Sequence, residues 1–391
     1  MAAARQLGLD LTVASEQAST FETAQPAGLL TLDFLDVGRA VEQARAFAQR
    51  HPIASAVGVD DDTVVLATAI NAGLDRPTNP IVAAIAARDK GVQRERLAEA
   101  GVPVPRSTLH QLDETPETVA AATRYPCVIK PLRLSASRGV IRADDPASFV
   151  AAQRRLRDIL ESCGDVTSQY LVEEYIEGYE VALEGLLVEG RLHVLALFDK
   201  PDPLDGPFFE ETIYVTPSRH PAAEQEALVA CAAAAARALG LEVGPVHAEL
   251  RLNARGPWLI ELAARSIGGR CSAVLRFGNG KISLEEIVLG QAAGLALPSL
   301  ERAPGAAGVM MIPVPGAGRL QEVQGIAAAR AVPGIEDIVI TAHRGQELVP
   351  WPEGSRYPGF IFARAQRASD VEQALREAHR RLRFLLEPAV G

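Results

Sequence analysis

Four cysteines in 391 residues, Cys127, Cys163, Cys231 and Cys271, lie far apart with no Cys-x-x-Cys pair, so neither a zinc ribbon nor a disulfide framework is indicated. A reducing cytoplasm is the expected setting. Cys127 sits in an apolar strand-like run and Cys231 in an Ala-rich helical one, where each reads as a small buried hydrophobe. The seven histidines show no His-Glu-x-x-His or comparable ligand spacing. No apolar run approaches the length of a bilayer span, and the opening residues lack the pattern of a secretion signal, so the protein is expected to be neither exported nor inserted. Positive charge is also in deficit. A formal net charge of −10 and a pI near 5.3 argue against nucleic acid or anionic membrane as a bulk electrostatic partner. Any anion site must be local.

What is present is an ordinary globular composition, 48% hydrophobic and 23% charged, in a chain long enough for about two to four subdomains. Met1 to Gly8 reads as a helix end capped by Gly8, and Leu9–Ala14 as a strand. A βαβ unit should begin with a strand, so a first strand upstream of this helix is expected to be missing. Strands at Leu29–Phe34 and Ile53–Val59 alternate with helices at Val37–Gln49 and Asp61–Ala72, the latter capped by Asp60 or Asp61. This pattern predicts an α/β, doubly wound first domain over residues 1–80, closed by the turn-rich Arg76-Pro77-Thr78-Asn79-Pro80. Helices at Ile81–Arg88 and Gly91–Ala100 follow, with Lys90 between them, and a compact unit spans about 104–172. In the last stretch, 303–391, strands such as Gly308–Pro313 and Phe360–Ala363 precede a closing helix over Ser369–Leu386. Arg376, Arg380, Arg381 and Arg383 make that helix basic, but its Leu and Phe spacing predicts a packed amphipathic element with a solvated face.

Several segments carry residues suited to chemistry. In Pro245-Val246-His247-Ala248-Glu249-Leu250 and Trp258-Leu259-Ile260-Glu261-Leu262-Ala263-Ala264-Arg265, two acids lie in apolar, β-prone runs joined by the turn Asn253-Ala254-Arg255-Gly256. Carboxylates are costly to desolvate unless they are paired or cation-bound, and an oxygen-only set without cysteine suits magnesium or manganese. Arg265, followed by Gly268-Gly269, is placed to clamp a phosphate nearby. The same acids also fit a solvated hairpin edge. Tyr125-Pro126-Cys127-Val128-Ile129-Lys130-Pro131 is a buried strand ending in a lysine, and the small-residue loop Ser135-Ala136-Ser137-Arg138-Gly139 after it fits either a phosphate-covering loop or a flexible hairpin. Glu173-Glu174-Tyr175-Ile176, the turn at Gly178, and Glu180 fit a base-and-ribose site or a charged strand edge that discourages aggregation. His247 fits a positioning or proton-handling role or a core histidine; Lys200 and Glu211 are placed to reach the substrate side.

Taken in order, these elements resemble the ATP-grasp superfamily over about residues 80–300. The resemblance implies an ATP-grasp domain at 81–302 with a lid subdomain at about 104–172, and ATP with Mg2+ or Mn2+ as cofactors. It implies Lys90 and Lys130 on ATP phosphates under a loop containing Ser137 and Gly139. Glu173, Glu174 and Ile176 would lie at the adenine and Glu180 at the ribose. Glu249 and Glu261 would hold metal, and Arg265 would stabilise the transferring phosphoryl group. Within the superfamily, Glu261-Leu262-Ala263-Ala264-Arg265 with Ile267-Gly268-Gly269, the insertion from Asp199-Lys200-Pro201 to Pro217, and the tail from Gly308 resemble L-amino acid ligases and related carboxylate-amine ligases. Many members carry Asn two residues after the second metal-binding Glu, where this sequence has Ala263, and the phosphate loop here is poor in glycine.

The resemblance implies attack of a substrate carboxylate on ATP to give an acyl phosphate, which an amine converts to an amide. The expected partners are a small carboxylate and a small amine, amino acids among them, and a homodimer. Two other classes fit the same nucleotide site: a carboxylating subunit similar to biotin carboxylase, and a non-catalytic ATP-binding subunit.

Overall fold

The computed structural model describes residues 1–17, 27–164 and 168–387. Its centre is an eight-stranded antiparallel sheet. From one edge, the strands run Gly256–Ala263, Gly244–Asn253, Tyr179–Val188, Arg191–Asp199, Ile213–Thr216, Ala306–Met311, Gly359–Ala365 and Ile335–Ile340. The last three of these strands lie beyond residue 303, so the sheet that begins with the strands between 179 and 263 continues into the C-terminal region without a break.

One face of this sheet is covered by the helix Ala222–Leu239. Its Ala-rich sequence lets Cys231, Ala232, Ala235 and Ala236 pack closely on Leu183, Val246, Leu250 and Leu259. The other face buries Phe198, Tyr214, Phe277, Val309 and Met311. Small residues on one side and aromatic and thioether side chains on the other match a sheet buried on both faces, with helix or loop above each.

A second, four-stranded antiparallel sheet makes up the unit expected as a lid over about 104–172, in the order Ser107–Gln111, Gln169–Glu174, Cys127–Pro131, Ile141–Ala143. The helix Pro146–Ser162 covers it, starting at an Asp145 capping box and burying Phe149, Leu156 and Leu160. The cleft lies between the two sheets.

In the N-terminal region the helix Ala2–Gln6 precedes a short parallel pair, Val13–Ser15 with Leu29–Thr31, followed by helices Val37–Ala48 and Asp61–Gly73. The strand expected at Ile53–Val59 is not formed. Instead, the Asn71 side chain pairs both ways with the Ala56 backbone, its Oδ1 accepting from the amide at 2.7 Å and its Nδ2 donating to the carbonyl at 2.8 Å. A side-chain amide thus replaces the neighbouring strand that a ladder would need.

The closing helix is also shorter than expected. It spans Ala368–Arg380, and Arg383–Glu387 is a strand on Gly318–Gln324. Phe384 and Leu386, two residues apart, both pack with Leu320 and Leu348, so the apolar period at this end is that of a strand.

Candidate active site

An open cleft of about 340 Å³ between the sheets gathers residues from both halves of the hairpin, the lid, the N-terminal helix and the C-terminal region. At its floor, Glu249 and Glu261 face each other in register on paired antiparallel strands. The register slips between Glu249 and Leu250, so one extra residue enters the 256–263 strand next to the acids. Each acid meets its own lysine. Glu261 lies 3.0 Å from Lys90 Nζ, which also donates to the Leu134 carbonyl at 3.0 Å. Glu249 lies 3.2 Å from Lys200 Nζ and 3.6 Å from His247 Nε2.

Lys200 is almost wholly enclosed by acids. It also reaches Glu180 and Glu211, each at 2.7 Å. Burial opposes its charge, but the three carboxylates outweigh burial and hold the ammonium well above its ordinary pKa. Glu249 is held well below the carboxylate range: burial works against this, and Lys200 and His247 overcome it. Glu211 goes the other way, pushed up to about 7 by burial and partly relieved by Lys200. Oxygens of Glu180, Glu211 and Glu249 lie within 4.8 Å of one another, a hard-donor set that fits a magnesium-type ion and to which Lys200 now supplies the counter-charge.

The lid side is built on a second buried network. Lys130, at the end of its strand, lies 2.5 Å from Glu173, and Arg94 Nε lies 2.6 Å from the other oxygen of the same carboxylate. Arg94 also donates to the Ile260 carbonyl. Between two cations Glu173 stays ionised despite burial, while burial pushes Lys130 down to about 8.

The linker after Glu173 is tightly held. The amides of Glu174 and Tyr175 donate to the carbonyls of Arg106 and Pro126, Arg251 donates to the Ile176 carbonyl at 2.7 Å, and Glu174 lies 2.9 Å from Arg106. The guanidinium groups of Arg142 and Arg251 both lie over the Tyr175 ring, 4.1 and 5.1 Å from its centroid. Glu180 already accepts from Lys200 on one oxygen and from Arg251 Nε at 3.0 Å on the other, so a ribose diol here would share both oxygens with cations.

Arg265 makes a two-pronged pair with Asp61, at 2.7 and 2.8 Å, and Asp61 also accepts from Ser135 Oγ at 2.9 Å. Of the loop residues, Ser135, Ala136 and Ser137 line the cleft. Gly139 turns behind them with its amide donated to the Pro352 carbonyl at 3.0 Å. His247 is buried, its Nδ1 3.9 Å from Glu184, and burial raises the Glu184 carboxyl well above its usual range.

All of the singled-out residues except Gly139 therefore line or back one cleft. Reading the sequence missed Asp61, Glu184, Arg94 and Arg251. Asp61 had a signal: in Asp60-Asp61-Asp62 only one acid can cap the helix, and Asp60 does.

This combination of a two-sheet cleft, hairpin acids and lysine-bearing second sheet is that of the ATP-grasp fold. The ATP-grasp domain family matches residues 123–274, and L-amino acid ligase C-terminal domain 2 matches residues 310–387. The chain thus carries an ATP-grasp domain followed by an L-amino acid ligase C-terminal domain. The structure of L-amino acid ligase from Bacillus licheniformis superposes with a TM-score of 0.81 at 26% identity, covering 99% of this chain and 95% of that one. Dapdiamide A synthase of Enterobacter agglomerans is 25% identical over 248 residues, 62% of this chain. Alanine–anticapsin ligase of Bacillus subtilis (strain 168) is 30% identical over 209 residues, 48% of this chain. The matched parts span 58% and 43% of these two curated relatives. Among the described residues no helix is long and apolar enough to cross a membrane.

Proposed function

We propose that the protein is an ATP- and magnesium-dependent ligase that activates a carboxylate as an acyl phosphate and joins it to an amine, releasing ADP and phosphate. The observation that carries this reading is the register pairing of Glu249 with Glu261, each matched to a lysine, in one cleft with Arg265. The names of the ligases it resembles support the reaction class, and amino acids are the substrate class those names suggest.

In this reading Glu249 and Glu261, with Glu180 and Glu211 alongside, would hold the metal, which would neutralise charge on the phosphate oxygens. The chain's own residues do the rest. Lys90 and Lys130 orient the triphosphate, and Arg265, fixed by Asp61, meets the charge on the phosphoryl group as it moves to the substrate carboxylate. The enzyme needs no nucleophile of its own. The loop at 135–139 excludes water from the acyl phosphate until the amine attacks its carbonyl carbon and phosphate leaves. Four unpaired cysteines, three of them buried, suit a reducing cytoplasm.

The test is release of ADP and phosphate from Mg-ATP with pooled amino acids and small carboxylic acids, with mass spectrometry of new amides. Substrate-stimulated release with a condensed product is expected. ATP binding without stimulated release by any pool would count against the ligase reading.

A further inference from the structure

The loop over the cleft is held in an unusual backbone conformation by a segment from the far end of the chain. Ala136 and Ser137 are consecutive non-glycine residues with φ near +55°, in the left-handed region. This conformation is costly for a residue with a side chain and persists only where its surroundings over-determine it. The surroundings here are Trp351, Pro352 and Glu353. The Trp351 indole N–H donates to the Ala136 carbonyl at 2.8 Å, and the Pro352 carbonyl accepts from Gly139 N–H at 3.0 Å. Arg138 Nε donates to the Glu353 carbonyl at 2.9 Å. The Glu353 carboxylate takes a two-pronged pair from Arg155, at 2.5 and 2.8 Å, on the helix beneath the loop.

Trp351 is itself buried, and its ring packs on Tyr357 with centroids 4.7 Å apart. Tyr357 lines the cleft beside Tyr214 and Glu211. One short segment therefore touches the loop at the lid end and the cleft wall at the other end.

We infer that residues 351–353 form a strap that fixes the 135–139 loop in its nucleotide-covering shape, with Trp351 as a positioning residue for phosphoryl transfer. The part concerning nucleotide rests on the ligase reading above; the strap itself rests on the contacts alone. Trp351 touches no reacting group, and it acts through the Ala136 carbonyl.

Trp351→Phe keeps an aromatic ring against Tyr357 and removes the one N–H. A second variant, Glu353→Ala, alters a half-exposed side chain and releases Arg155 without touching the core. Two readouts are taken on the full chain. Trypsin cleavage after Arg133 or Arg138, without ligand, reports how often the loop opens. Calorimetric affinity for a non-hydrolysable Mg-ATP analogue reports whether its shape matters to nucleotide.

Loss of one hydrogen bond, about 1 kcal/mol, predicts roughly fivefold faster cleavage and roughly fivefold weaker binding for Trp351→Phe, with a smaller change of the same sign for Glu353→Ala. Melting temperature should move little, which separates positioning from general destabilisation. If Trp351→Phe does not fold, Glu353→Ala alone decides. Unchanged cleavage in the folded variants overturns the strap. Faster cleavage with unchanged affinity overturns its role toward nucleotide. A wild type that does not bind the analogue refutes the ligase reading, while the cleavage comparison still judges the strap.

Discussion

Asp61 grips Arg265 with both carboxylate oxygens, at 2.7 and 2.8 Å, across 204 positions of sequence. The acid is in the first turn of a helix in the N-terminal region, and the arginine follows the second strand of the Glu249–Glu261 hairpin. A guanidinium held this way presents a fixed face to the cleft, with less freedom to lose when phosphate arrives. Arg265 is also held well charged: burial opposes this, and Asp61, by hydrogen bond and by charge, outweighs it.

Asp61→Asn should therefore lower turnover about a hundredfold, because a displacement of about 1 Å in a positioning group carries that cost. Nucleotide affinity should fall far less. Steady-state kinetics beside calorimetry separate the two effects, and near-wild-type turnover would show that Arg265 needs no such anchor.

Much of this arrangement was legible in the chain. Glu249, Glu261 and the turn at 253–256 were readable because strand alternation and turn chemistry are local, and a hairpin brings its own ends together. Lys90 and Lys130 were readable as cations ending or flanking apolar elements. Asp61, Arg94 and Arg251 were not, because their meaning lies in partners between 71 and 204 positions away. The false strand at 53–59 has the same root. Its residues have strand propensity, but whether a ladder forms depends on a neighbouring strand, and here Asn71 takes that place.

Lys130 sets a pH dependence. Burial lowers its pKa from 10.5 to about 8, so the folded protein binds fewer protons than the unfolded chain between those values. This group therefore costs stability below about pH 8 and costs progressively less as pH rises toward 10.5. A bound triphosphate acts in the opposite direction, favouring the charged lysine. Nucleotide binding should thus take up a proton above about pH 8 and weaken as pH rises further. Calorimetry in buffers of different ionisation enthalpy measures that proton. Absence of uptake in wild type, or its persistence in Lys130→Met, would assign the dependence elsewhere.

Gly178 closes the linker between the Gln169–Glu174 and Tyr179–Val188 strands, at φ +127°. A β-carbon there would sit 2.2 Å from the Leu252 carbonyl oxygen, which is backbone of the strand that carries Glu249. Gly178→Ala should destabilise the protein by about 2–4 kcal/mol, from strain and overlap together. Gly190 offers the comparison, since its φ is +74° and open space surrounds the added atom. Gly190→Ala should cost only about 1 kcal/mol. Urea unfolding of the two variants tests the contrast, and equal losses would mean that the Leu252 contact relaxes at no cost.

Lys200 supplies positive charge to three acids, Glu180, Glu211 and Glu249. Removing one member of a buried ion pair leaves uncompensated charge and costs about 3–5 kcal/mol, so Lys200→Met should be markedly less stable than wild type in chelator. The donor set is then more negative and no longer shared with an ammonium group. Millimolar magnesium should therefore raise the melting temperature of Lys200→Met by more than that of wild type, because an ion that binds only the folded state stabilises it by mass action. Glu249→Gln in the same background removes a donor and should abolish most of that extra gain. Thermal melts with and without magnesium decide the matter without any substrate. Equal magnesium shifts in wild type and Lys200→Met would mean that Glu180, Glu211 and Glu249 serve to hold the lysine, leaving the metal to Glu261 and the nucleotide.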